Sequence, residues 1–140
     1  LFYYLWFIPT QNAPMKDVKK ILICEDEEIL LTALKFRLQK QGYELFLAAD
    51  GAEAETLLKK EKPDMLVTDI DVPVKNGLEL VDFIRQDLEW DIPIVMIAPM
   101  EEGEGILKAK MAGATDFVTK PFKPVELVLR IRCIFQALEH

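Results

Sequence analysis

Pro63-Asp64-Met65-Leu66-Val67-Thr68-Asp69-Ile70-Asp71-Val72-Pro73-Val74-Lys75-Asn76-Gly77 is the stretch that decides the fold. A short apolar run, Met65 to Val67, ends in a carboxylate and passes into a turn with Pro and Gly. The run has the length and branching of an interior strand of a parallel sheet, covered on both faces. A strand ending in Asp69 presents that carboxylate at the carboxyl edge of the sheet, where open α/β proteins place their ligand crevices.

Outward from this stretch, short apolar runs alternate with amphipathic segments, the sign of repeated βα units. Ile21–Cys24 reads as the first strand, followed by Glu25-Asp26-Glu27-Glu28 and a helix to about Gln41 with Gly42 as its stop. Leu45–Ala48 is the second strand. Asp50 with Glu53 gives a capping-box-like start to a helix that ends near Pro63. After Asp69 a helix spans about Gly77–Asp87, then come a strand at Ile94–Ile97, a short helix at Ile106–Ala112 and a strand at Asp116–Val118. Pro124 opens the last helix. Glu101–Gly105, rich in Glu and Gly, reads as a mobile acidic loop. Five such units with right-handed crossovers leave few topologies, and among them we infer a doubly wound five-stranded parallel α/β sheet of flavodoxin-like order 2-1-3-4-5 with helices on both faces, an order that periodicity alone does not fix.

Composition narrows the chemistry. A chain of 140 residues has enough length for one real core. A net charge of -7 and a pI near 4.8 argue against direct nucleic-acid binding. Cys24 and Cys133 are too few for a disulfide framework or a structural zinc site, and read as buried thiols in a reducing compartment. With His140 as the only histidine, His-based triads are excluded. Leu1–Ile8 is apolar but too short to span a bilayer and lacks the features of a signal peptide.

The predicted strand order brings Glu25 and Asp26 beside Asp69. Carboxylates gathered so closely require a counter-charge, and Mg2+ suits few carboxylates, several waters and an incoming phosphate. Lys120, in Thr119-Lys120-Pro121-Phe122, brings a second positive charge. Nucleophilic carboxylate, metal and fixed ammonium suit phosphoryl transfer, which needs positioning and charge neutralisation. Taken alone, Glu25–Glu28 is equally a solvated helix start.

Glu25-Asp26, Asp69-Ile70-Asp71-Val72-Pro73 with Gly77, and Gly113-Ala114-Thr115-Asp116-Phe117-Val118-Thr119-Lys120-Pro121-Phe122 together resemble the receiver domain of bacterial two-component response regulators. The match runs from about Lys19 to Ala137. The resemblance implies a cytoplasmic phosphorelay protein in which Asp69 accepts a phosphoryl group from a sensor histidine kinase. It implies Mg2+ held by Asp26, Asp69 and the backbone carbonyl of Asp71, with Glu25 acting through water. It also implies Lys120 on the phosphoryl oxygens and a cis Lys120–Pro121 bond. Residues 16–137 are then the receiver domain, 1–15 an upstream or cloning-derived segment, and 138–140 a tag remnant. No membrane contact is expected of the receiver itself.

One place breaks the pattern. The family's switch threonine or serine falls at Ala98, and the following backbone donor falls at Pro99, which has no N–H. A hydrogen bond to a charged group is worth roughly 1.5–3 kcal/mol, so a blunted response to phosphorylation is expected. Phe117 stands at the aromatic switch position and, beside Ala98, reads as packing. In the last helix Val125, Val128, Leu129, Ile131, Ile134 and Phe135 cover more than one core stripe. That fits either deep seating or a homodimer or output-domain surface formed with the fourth helix and fifth strand. The alternative function is a pseudo-receiver acting as a phosphorylation-independent interaction module. Asp69-Ile70-Asp71 also matches the DxD of haloacid-dehalogenase-type phosphatases, but there it follows the first strand and comes with a cap. Multiple-turnover catalysis is therefore not expected.

Overall fold

The computed structural model describes residues 18–139. The expectations for residues 1–15, for a receiver start at 16 and for His140 lie outside these residues. The chain alternates β1 (Lys20–Cys24), α1 (Glu28–Lys40), β2 (Glu44–Ala48), α2 (Gly51–Glu61), β3 (Met65–Asp69), α3 (Gly77–Asp82), β4 (Ile94–Pro99), α4 (Gly103–Ala112), β5 (Asp116–Lys120) and α5 (Pro124–Leu138). All pairings are parallel and the order is β2-β1-β3-β4-β5, the flavodoxin-like order inferred above.

Alternation along each strand divides the interior into two layers. Leu22, Leu66, Met96 and Ala98 face Ala54, Leu58, Leu80, Val81 and Ala109, so α2, α3 and α4 cover one side. Ile23, Val67, Ile97 and Val118 face Leu34, Leu38, Leu127 and Ile131 of α1 and α5 on the other. Every residue of β3 is buried, which explains why its sequence shows no polar alternation.

Local chemistry sets the helix ends. The Asp50 carboxylate accepts from the Glu53 N–H at 2.8 Å, while Glu53 reaches back to the N–H of Ala49 at 3.3 Å. Asn76 makes a full capping box with Glu79 at the start of α3. After Asp82 that helix continues as a π turn, Phe83–Asp87. The Arg85 guanidinium donates to the carbonyls of Trp90 and Gly113, tying the turn to the end of α4.

Two expectations need correction. Glu101–Gly105 is not a loop throughout, because α4 begins at Gly103, three residues before Ile106. The Ile106 N–H donates to the Glu102 carbonyl at 2.9 Å and closes the first turn, where a Cβ on Gly105 would lie 2.9 Å from Glu102 Oε2 and 3.0 Å from Cδ1 of Ile70. Cys133 is exposed, unlike Cys24. Leu127, Val128, Ile131 and Phe135 turn the core face of α5 inward, and position 133 falls on the outer side.

Candidate functional site

The carboxyl edge of the sheet carries the charged cluster. By alternation Glu25 follows Ile21 and Ile23, Asp69 follows Met65 and Val67, and Lys120 follows Val118, so all three lean from the same face. The Cys24–Thr68 register sets Glu25 beside Asp69, and Lys120 reaches across from β5. Its Nζ lies 2.5 Å from Asp69 Oδ2, 3.5 Å from Glu25 Oε1 and 3.8 Å from Glu27 Oε2.

Burial gives the cluster its energy. Asp69 is only 4% exposed and Glu25 only 1%. Ionised groups so deep need partners. Asp69 Oδ1 accepts from the Asp71 N–H at 2.9 Å, and its carbonyl from the Thr68 hydroxyl. Glu25 Oε2 accepts from the Glu27 N–H at 3.0 Å, while its buried Oε1 has no hydrogen-bond partner among the described residues. Burial pushes the Glu25 carboxyl up to about 7. The Glu27 N–H opposes this, the Asp69 charge adds to it, and Lys120 opposes it. Burial would depress the Lys120 ammonium, but Asp69 and then Glu25 outweigh it and hold its pKa above the ordinary 10.5. Lys120 is therefore a fixed cation across the physiological range. Burial likewise raises the nearby Cys24 thiol to about 12, keeping it un-ionised.

The predicted residues are not all gathered alike. Glu25, Asp69 and Lys120 come together. Asp26 is exposed at the β1–α1 turn, and Asp71 is exposed with its N–H donating to Asp69 Oδ1. Among the described residues no three acidic, Cys or His side chains converge as a ready metal cage. The sequence reading passed over Glu27 as part of an acidic helix start. Its contact with Lys120 depends on how the β1–α1 turn folds over β5, and only its place two residues after Glu25 hinted at it.

At the next strand, Ala98 is fully buried and paired with Thr119, while Pro99 is paired with Lys120. Ala98 belongs to the α2–α4 layer, and Phe117 packs against that layer, half-buried. The Lys120–Pro121 peptide is cis. Gly77 is required beneath the site: a Cβ there would come within 2.8 Å of the Asp69 carbonyl oxygen. On the outer side of α5 an open groove of about 850 Å³ runs past Phe122, Val125, Leu129, Cys133 and Ile134. Val125 and Leu129, the surplus apolar residues of the sequence reading, are exposed there. No helix among the described residues is long and apolar enough to cross a membrane.

A doubly wound sheet with a buried aspartate at the end of β3, an acidic neighbour from β1 and a lysine from β5 defines a CheY-like α/β domain. A model of the response regulator receiver domain matches residues 21–132, and the chain belongs to that family. It is 38% identical over 122 residues to the alkaline phosphatase synthesis transcriptional regulatory protein PhoP of Bacillus subtilis, covering 86% of this chain and 50% of that protein. Among solved structures, a CheY-like receiver domain protein from Methanospirillum hungatei superposes with a TM-score of 0.82 at 27% identity, covering 88% of this chain and 98% of that one. The chemotaxis response regulator CheY4 of Vibrio cholerae gives 0.77 at 30% identity, covering 84% and 98%. The chain spans about half the length of the curated relatives it matches. Receiver domains work in two-component signalling, where they interact with histidine kinases and are often joined to output domains.

Proposed function

We propose that this domain accepts a phosphoryl group on Asp69 from a sensor histidine kinase in the cytoplasm. The observation that carries the reading is the 2.5 Å pairing of Lys120 with an aspartate that is 4% exposed. A carboxylate oxygen of Asp69 attacks phosphorus, the phosphorus–nitrogen bond of the donor phosphohistidine breaks, and the electron pair returns to the imidazole. Lys120 balances the charge gathering on the phosphoryl oxygens. The donor set fits Mg2+, which takes one or two carboxylates and keeps several waters. Asp69 and the exposed Asp26 would hold it, with Glu25, whose Oε1 accepts no hydrogen bond among the described residues, acting through water and the Asp71 carbonyl as the further ligand that family resemblance implies. Bound there, the ion would neutralise phosphoryl charge. In this reading the role is that of a phosphoacceptor rather than a multiple-turnover enzyme.

The response to phosphorylation is blunted in this reading. Ala98 offers no hydroxyl and Pro99 no N–H to the phosphoryl oxygens, and Phe117 is held by packing. The same two residues favour the second reading, a phosphorylation-independent interaction module. In either case the groove along the outer side of α5, reaching Asp116 of β5, would be the surface for a second copy or an output domain. Incubation with Mg2+ and acetyl phosphate, followed by intact-mass measurement, separates the two. The first requires a mass gain of one phosphoryl group that is lost in Asp69→Ala, and no gain would favour the second. Ala98→Thr should enlarge the structural response to beryllofluoride, and an equal response in both proteins would remove position 98 from the account.

A further inference from the structure

Glu27 is the acid in the cluster that neither the sequence motifs nor the phosphoacceptor chemistry uses. Its Oε2 lies 3.8 Å from Lys120 Nζ, yet its side chain is 60% exposed, against 1% for Glu25 and 6% for Asp69. The two buried carboxylates already satisfy the ammonium at closer range, so the exposed one adds little to holding it. What Glu27 adds is a negative charge at the solvent side of Lys120, where a phosphodonor must approach. Its backbone N–H is separately engaged with Glu25 Oε2, so the turn that places it does not depend on its own side chain.

We propose that Glu27 is an electrostatic selector at the mouth of the crevice, a positioning residue that draws in the divalent cation and holds back anionic phosphodonors. This rests on the reading of Asp69 as phosphoacceptor. The charge acts in opposite directions on the two ions, which separates it from a structural role. Removing it should weaken Mg2+ binding and, once Mg2+ is saturating, speed phosphorylation. In water at contact-scale separation, one unit charge is worth a factor of about 3–5 per unit charge on the approaching ion. The effect is therefore larger for acetyl phosphate, a dianion, than for phosphoramidate, a monoanion. It shrinks as salt shortens the Debye length below about 8 Å.

The test compares wild type with Glu27→Gln, which keeps the turn's backbone bond. Calorimetry gives the Mg2+ dissociation constant, and intact-mass time courses at saturating Mg2+ give the phosphorylation rates at low and high salt. The expected result is a Mg2+ affinity lowered severalfold, with acetyl phosphate accelerated severalfold at low salt and phosphoramidate less so. Equal rates in the two proteins at low salt, or both ions shifting in the same direction, overturn the selector role while leaving Asp69 as the acceptor. No mass gain in wild type overturns both.

Discussion

Glu25→Gln should make the metal-free protein more stable at pH 8 and leave it nearly unchanged at pH 4.5. Glu25 is 1% exposed, and burial raises its carboxyl from the ordinary 4.5 to about 7, against the pull of the Glu27 N–H and Lys120. Between those two values the native protein holds a proton that the unfolded chain has already released. The carboxyl's favourable contribution is thus complete below 4.5 and is lost as the pH rises through 7. At 1.36 kcal/mol per pKa unit the loss comes to about 3 kcal/mol. Glutamine keeps an acceptor for the 3.0 Å bond from the Glu27 N–H and carries no charge to desolvate. Urea denaturation of both proteins from pH 4.5 to 8.5 should show a gap that opens to about 3 kcal/mol. Millimolar Mg2+ should narrow it, because a cation beside ionised Glu25 offsets the same desolvation. A gap that stays constant across this pH range would refute the assignment of burial as the dominant influence on Glu25.

Three further outcomes follow from the packing. Val74 sits at φ 70, a left-handed conformation that costs a β-branched residue about 1–2 kcal/mol, so Val74→Asn should raise stability by about 1 kcal/mol in urea titration. A change in the opposite direction would mean that the exposed Val74 side chain contributes more than its backbone strain. A Cβ on Gly51 would overlap the Lys75 carbonyl oxygen, so Gly51→Ala should lose about 1–3 kcal/mol or more, and a neutral result would show that the β3–α3 turn moves freely. Arg85→Met strips the Gly113 and Trp90 carbonyls of their guanidinium donors; it should cost about 2 kcal/mol and expose the end of α4 to faster amide exchange. Unchanged exchange there would remove Arg85 as the tie.

Most of the architecture was legible because its signals are local. Unbroken apolar runs such as Met65–Val67 mark strands covered on both faces, and Asp50 and Pro124 mark helix starts through bonds made within a few residues. The start of α4 is not legible, because two glycines signal backbone freedom while the tight space around Gly105, beside Glu102 and Ile70, is visible only in the fold. The exposure of Cys133 is hidden from the sequence for a related reason. The outer side of α5 mixes Val125, Leu129 and Cys133 with Glu126, Arg130, Arg132 and Gln136, so a single apolar residue in this helix is not by itself a sign of burial.

The sequence by itself determined the order of strands and helices, the residue types at the carboxyl edge, and the absence of a hydroxyl at position 98 and an N–H at position 99. These are properties of single residues and near neighbours. Tertiary structure alone decided how the charges share one another. Lys120 meets Asp69, Glu25 and Glu27 at three different distances, Asp26 remains outside that group, and Glu25 is shifted to about 7. Coulomb energy and desolvation depend on separation and burial between residues up to 95 positions apart (Glu25 and Lys120), and folding alone sets those distances.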